Sequence, residues 1–569
     1  MMKKIAKNVI CMGLALCMGT SMVACGGGGG NKNSGVCEVK VKVVGYGVDW
    51  LTEAVSQFNA MYESEGYKVK VTLADTDTGM NMEMQTPKRN TTDLYFDSYE
   101  SIKPLIEKSR SVLGSNGGAL LEDLSDVLSS KAIGKDKQEQ GDAISERIES
   151  FEVDLCKYTG TYSGYDGVYG LPWYGGSGGL YVNKKVLAQK GYTMDAFLTS
   201  NSVIEMTAAL APAADKRLDR NEFFPVTWPG LSAGYWMYWT NVLQAQYMGE
   251  EEYKNFYNLI PEGGESEMIS SGWTVYEDRG IYETLKVAET LTNKDWAVPG
   301  TASMNMISAQ ARLFEGTSLY MASGDWIYKE MEQDYAQYLD DVIAVKNPVI
   351  SALGVKLGLC GQTHAEPAFD KANFVEDYSC ANCETKLRAV VKAVDGTKTN
   401  AQIASEEGVT EAQVATIRER RGYYNATNGG AAIIPSYSDQ KEVAKLFLRF
   451  LCSDDGIDIY EEHARANFIV KRVNAHDVSK LSEVEASVYE RMYGANAKPT
   501  WTKSTSPVRV INGFSTYPAG ETDKGTFSSL SYSHISETPK FTAKSCYFDS
   551  VDIVRGNWAD WLFTAGLVG

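Results

Sequence analysis

The feature that most restricts what this chain can fold into is a strand, helix and strand pattern between Val39 and Leu73. Val39, Val41 and Val43 alternate with Lys40, Lys42 and Val44, the period of a strand, and the run ends at Gly45, Tyr46 and Gly47. From Leu51 to Tyr62, the residues Leu51, Ala54, Val55, Phe58 and Tyr62 recur at intervals of three and four, which predicts a helix with one apolar face. Val69, Val71 and Leu73 then alternate again. Such a βαβ unit builds a parallel sheet covered by helices, so the chain is expected to be α/β. A further strand is expected at Asp93 to Phe96, closed by Asp97 and Ser98, and Leu120, Leu121 and Leu124 open another packed segment. Parallel sheets bind ligands beyond the carboxyl ends of their strands. Tyr46, Asp49, Trp50, Asp97 and Ser98 all fall there and are candidate ligand-binding residues, although each also suits a cap or loop.

At 569 residues the chain exceeds what one hydrophobic core serves, so two domains with room for an insertion are expected. A net charge of -18 argues against a nucleic acid partner, because phosphate binding needs clustered Lys and Arg.

The amino terminus carries Lys3, Lys4 and Lys7, an apolar run from Val9 to Leu16, and then Met22, Val23, Ala24 and Cys25. This is the layout of a secretory signal, too short for the ~20 apolar residues of a permanent span. Its end resembles the lipobox of bacterial lipoproteins. That resemblance implies a signal peptide at 1–24 and a Cys25 thiol carrying diacylglycerol, a firm membrane tether. Residues 25–35, with Gly26 to Gly30, read as a flexible linker. No other stretch is long and apolar enough to span a membrane. Cys37, Cys156, Cys360, Cys380, Cys383, Cys452 and Cys546 remain, an odd and scattered set that is no disulfide framework. Cys380 and Cys383 form a lone CxxC, open to reading as a local disulfide, half a zinc site or coincidence. Zinc needs two further ligands, and neither a second CxxC nor a His pair stands nearby, so no metal and no cofactor is assigned.

Three further segments carry a resemblance. The first runs from Asp166, Gly167, Val168, Tyr169, Gly170, Leu171 and Pro172 through Trp173, Tyr174 and the glycines 175–179 to Leu180, Tyr181, Val182, Asn183, Lys184 and Lys185. The second is Phe314, Glu315 and Gly316 through Met321 to Gly324, Asp325 and Trp326; the third runs from Gly429 through Ile433, Ile434 and Pro435 into a helix at Glu442 to Leu451. In this order, with the lipobox and the opening βαβ unit, they resemble the family 1 extracellular solute-binding proteins, the group of the maltose-binding proteins. The resemblance implies a periplasmic-binding-protein-like α/β fold of two lobes with a hinge and an interlobe cleft. Lobe one would take 36–173 with 428–475, and lobe two 174–427 with 476–569. It further implies a monomeric, lipid-anchored protein on the extracytoplasmic face of the cell membrane. Such a protein is not an enzyme and captures a carbohydrate, an oligosaccharide by preference, for the permease of an ABC transporter. The alternatives are a surface-anchored carbohydrate-active enzyme and a binder of another solute such as a peptide.

Between about 361 and 428 the chain departs from that pattern. Thr399, Ile403, Ala404, Gly408, Val409 and Val414 have helix-turn-helix spacing, which an exported acidic chain would use for packing, so an inserted helical hairpin is expected. Gly175 to Gly179 satisfy GxSxG, but Leu180 to Val182 after them read as a strand where a nucleophile elbow needs a helix. No catalytic residue is assigned. Sugars present apolar faces bordered by hydroxyls, which suits aromatic and carboxylate side chains. The candidates are therefore Trp173, Tyr174, Asp325 and Trp326, with Trp236 and Trp239 from an aromatic cluster that also holds Trp228 and Tyr235.

Overall fold

The computed structural model describes residues 37–568, apart from 44–47, 74–76, 116, 159–163, 428–429, 465–467, 476–477, 501–502, 505, 513–515, 521–522 and 535–538. The signal 1–24, Cys25, the linker, Tyr46 and Gly429 lie outside the described residues. The chain divides into two compact units, Met1–Gly176 with Asn428–His476, and Ser177–Thr427 with Asp477–Gly569.

The first unit is built on a five-stranded sheet in the order Tyr67–Leu73, Cys37–Val43, Leu94–Ser98, Gly430–Ile433, Leu171–Pro172. Cys37–Val43 runs parallel to both neighbours, pairing Val43 with Leu73 and with Phe96, while Gly430–Ile433 is antiparallel to Leu94–Ser98. Val39, Val41 and Val43 have no exposed surface, so the alternation puts its valines into the core. The helix Asp49–Tyr62 buries Leu51, Ala54, Val55, Phe58 and Tyr62, the stripe that the periodicity predicts, and Trp50 with them. Lys441–Leu451 and Asp454–Ala464 complete the helical cover.

The second unit has a sheet in the order Lys498–Thr500, Tyr423–Ala426, Ser177–Asn183, Ser318–Gly324, Phe224–Val226, with Val342–Ala344 also paired to Ser177–Asn183. Every residue of the two central strands is buried, so they carry no alternation. Both units are α/β, as the opening pattern implies.

The region 361–428 holds three helices, Ala381–Val394, Asn400–Glu407 and Glu411–Arg421, where the sequence suggests a hairpin of two. The third arises because Thr410 caps a new helix: its side chain accepts from Gln413 N–H while Gln413 returns a bond to its backbone, and Thr399 and Gln402 do the same one helix earlier. Val390, Val391, Ile403, Val414 and Ile417 are fully buried. The arginines of the last helix face inward: Arg418 donates to Val394 O and Lys398 O, and Arg421 to Asp395, Phe197 O and Asn347 O. These charges are spent on closing loops of the unit itself.

Helix Arg279–Leu291 is capped by Asp278, whose carboxylate accepts from Gly280 N–H at 2.7 Å. Burial pushes this carboxyl up to about 7, against the opposing charge of Lys356. A folded-state value above the unfolded one means that the group's contribution to stability is full below about pH 4 and is lost as pH rises towards 7. Asp278→Asn keeps a capping side chain and removes the charge. It should leave stability unchanged at pH 4 and raise it by ~1 kcal/mol at pH 8, roughly 2–4 °C in Tm. Melting curves of both proteins across that range check it; parallel curves at all pH values would count against the buried charge.

Candidate functional site

In the first unit three of the expected residues, Trp50, Trp173 and Tyr174, meet in one aromatic cluster. Trp50 stacks on Trp173 with ring centroids 5.6 Å apart and planes at 21°. Phe96 and Tyr460 meet Trp50 edge-on at 5.4 and 5.0 Å, and Tyr174 leans on Trp173 at 6.0 Å. Trp50 is 1% exposed, with its faces packed inside this cluster. Trp173 and Tyr174 are also buried. The indole N–H groups of Trp50 and Trp173 have no acceptor within hydrogen-bonding distance among the described residues. Asp97 is buried and accepts from the N–H of Ser98, and the Ser98 hydroxyl accepts from Glu100 N–H, capping a short turn. Asp49 is exposed on the first turn of its helix.

The second unit assembles a different aromatic face. Strands Ser177–Asn183 and Ser318–Gly324 pair antiparallel, and their register sets Gly178 opposite Gly324. Rings lie against both glycines. A Cβ on Gly324 would sit 2.1 Å from the Trp326 ring, and one on Gly178 would sit 2.8 Å from the Tyr238 ring. The missing side chains thus make room for Trp326 and Tyr238. The two rings meet edge-on at 5.2 Å, and Tyr235 closes a triad at 5.3 Å from Tyr238 and 6.4 Å from Trp326. Tyr238 is half-buried, whereas Trp326 is 8% exposed.

Polar groups border this face. Asp325 is buried and accepts from the backbone N–H of Ser177 at 3.2 Å. Glu330, one turn into the following helix, accepts from Gln310 at 2.6 Å, and burial pushes its carboxyl above the usual carboxylate range. Flat rings beside carboxylates can hold a ligand with apolar C–H faces and a rim of hydroxyls.

Tyr238, Glu330 and Gln310 escape the sequence reading. Tyr238 carried a usable signal, since it follows Tyr235 by three residues and the two share a helix face. Trp236 and Trp239 pack with Trp228 in the core at 0–1% exposure. Ser177 opens a strand, and the strand–turn–helix elbow of a hydrolase is not formed there. Cys360, His364, Cys380 and Cys383 gather their donor atoms within 4.8 Å of one another, a grouping that the lone CxxC did not disclose.

Comparison with known proteins bears on the same residues. Solved structures resemble the chain at low identity. One comes from work on xylan utilization by the thermophilic bacterium Caldanaerobius polysaccharolyticus: TM-score 0.52, 12% identity, covering 91% of this chain and 100% of that one. Another is a chitin oligosaccharide binding protein: TM-score 0.51, 14% identity, 92% of this chain and 100% of that one. A third is an ABC substrate-binding protein from Listeria monocytogenes in complex with cycloalternan: TM-score 0.52, 13% identity, 92% and 99%. At such identities they establish the fold alone. No curated protein sequence matches. The family model of the bacterial extracellular solute-binding proteins matches residues 45–355, more than half of the 569-residue chain and including Trp50, Trp173, Tyr238 and Trp326. The chain belongs to the bacterial extracellular solute-binding protein family.

Proposed function

We propose that this protein is a lipid-anchored receptor that captures an oligosaccharide outside the cytoplasm and delivers it to the permease of an ABC importer. The observation that carries the carbohydrate reading is the face made by Tyr235, Tyr238 and Trp326 with Asp325 and Glu330 beside it. Its rings offer van der Waals surface to sugar C–H faces, and its carboxylates accept from hydroxyls. The structures it resembles include a chitin oligosaccharide binding protein and a complex with cycloalternan, which supports the same ligand class. The export signal and Cys25 support delivery from the membrane surface.

A thermal-shift and calorimetric panel of xylo-oligosaccharides, chito-oligosaccharides and cyclic glucans tests the ligand class. A ligand at a hundredfold its Kd adds ~2.7 kcal/mol of stability. Silence with every saccharide but a shift with peptides would overturn it. Recovering the sugar intact after incubation is the expected result, and released product would replace the receptor with an enzyme.

Cys25→Ser removes the only thiol the lipobox offers for acylation. The variant is expected in the medium or as an uncleaved precursor when cell fractions are blotted. A membrane-bound, correctly processed variant would refute the anchor.

A further inference from the structure

The loop from Gly361 to Cys380 runs for twenty residues without helix or strand, between helices Ala352–Lys356 and Ala381–Val394. Compact domains seldom keep so long a segment ordered without a fastening. Its middle is held by packing: Phe374 meets Tyr282 at 4.7 Å and Phe548 at 4.9 Å, and Arg279 donates to Val375 O at 2.6 Å and to Glu376 O at 3.2 Å. Its two ends come together at the four-residue cluster. Cys360 and His364 stand where the loop begins, and Cys380 and Cys383 where it runs into the next helix.

We propose that Cys360, His364, Cys380 and Cys383 bind one zinc ion that clamps the neck of this loop. A tetrahedral zinc with Zn–S of ~2.3 Å and Zn–N of ~2.0–2.1 Å sets its donors on edges of ~3.6 Å for S···N and ~3.8 Å for S···S. His364 Nε2 lies 3.2 Å from the Cys360 sulfur and 3.6 Å from the Cys383 sulfur. All four donor atoms fall within 4.8 Å of one another, so they already surround a common centre. A disulfide would use two of the three sulfurs and leave the third, with the imidazole, crowded against it. The Cys3His set is soft and nitrogen-containing, which selects zinc over magnesium or calcium. Four protein donors leave no open position, so the site is structural.

Cys380 precedes helix Ala381–Val394 and Cys383 lies in its first turn, where the helix dipole attracts negative charge. The spacing C-x3-H and C-x2-C, separated by residues 365–379, makes each half a local chelate and leaves the intervening loop as the element that is fastened.

The test uses the mature chain produced with zinc in the medium and purified anaerobically without chelator. One zinc per chain by elemental analysis is expected. Cys360→Ser, Cys380→Ser and His364→Ala should each weaken zinc retention at least ~10-fold, as loss of a donor costs no less than loss of a supporting hydrogen bond. Cys37→Ser, outside the cluster, should retain it. His364→Cys, which supplies a fourth sulfur, should also keep the metal. Cobalt loading of the wild type and of His364→Cys should give the intense visible bands of a tetrahedral thiolate site, and these read coordination directly even where the other variants fold poorly. Zinc removal should open residues 361–380 to protease. Zinc at trace level, a disulfide joining any two of the three cysteines in the anaerobic protein, or full zinc retention by the cysteine variants would overturn the proposal.

Discussion

Trp50→Ala is expected to lower the stability of the first unit by ~3–5 kcal/mol, the largest effect of any single truncation considered for that unit. The indole has 1% exposure, stacks on Trp173 and takes the edges of Phe96 and Tyr460, so alanine leaves a cavity that these three rings would have to close. Relaxation is limited because Phe96 lies on the central strand Leu94–Ser98, which pairs on both sides. Trp50→Phe should cost much less. It keeps an aromatic ring in the stack and removes an N–H that finds no acceptor among the described residues, so the lost area is offset by relief of a desolvation cost of ~1–3 kcal/mol. Hydrogen exchange is the appropriate measurement, because it reports on each unit separately: Cys37–Val43 and Leu94–Ser98 should lose protection in Trp50→Ala while Ser318–Gly324 keeps it. A loss of under ~1 kcal/mol would show that Trp50 is not the keystone its packing implies.

The same residue shows where the sequence could be read and where it could not. Leu51, Ala54, Val55, Phe58 and Tyr62 were legible because the helical period is local, and all five are buried. Trp50 belongs to that stripe as well, four residues before Ala54 and eight before Phe58. Its position just past a strand end equally marks it as a ligand candidate, because strand order tells where a residue sits and not which way it points. The second unit was less legible for another reason. Phe224–Val226, Val342–Ala344 and Lys498–Thr500 are three-residue strands, too short to show a period, and they join a sheet whose paired strands lie far apart in the chain. Tyr238 became a candidate only when the register set Gly178 beneath it, and the cysteine cluster only when a loop without periodicity returned Cys360 and His364 to the CxxC.

Tyr238→Ala is expected to weaken saccharide binding by ~10- to 100-fold, about 1.4–2.8 kcal/mol, on the reading of the second unit's aromatic face as a sugar platform. Tyr238 is the most open ring of the triad, so its truncation should remove contact area with little loss of folding stability. Trp326→Ala should reduce affinity too, but with a drop in Tm, since Trp326 is 8% exposed and packs against Tyr235, Tyr238 and the Gly324 backbone. Gly324→Ala separates the two roles. Its Cβ would lie 2.1 Å from the Trp326 ring, which must swing away, so affinity should fall although no aromatic side chain has been removed. Calorimetric titration and melting curves on the three variants give a pattern that simple core damage cannot produce. Core damage would track Tm, whereas a platform loses affinity in Tyr238→Ala at nearly constant Tm. Unchanged affinity in both Tyr238→Ala and Gly324→Ala would place the triad in the scaffold and send the search for the sugar elsewhere.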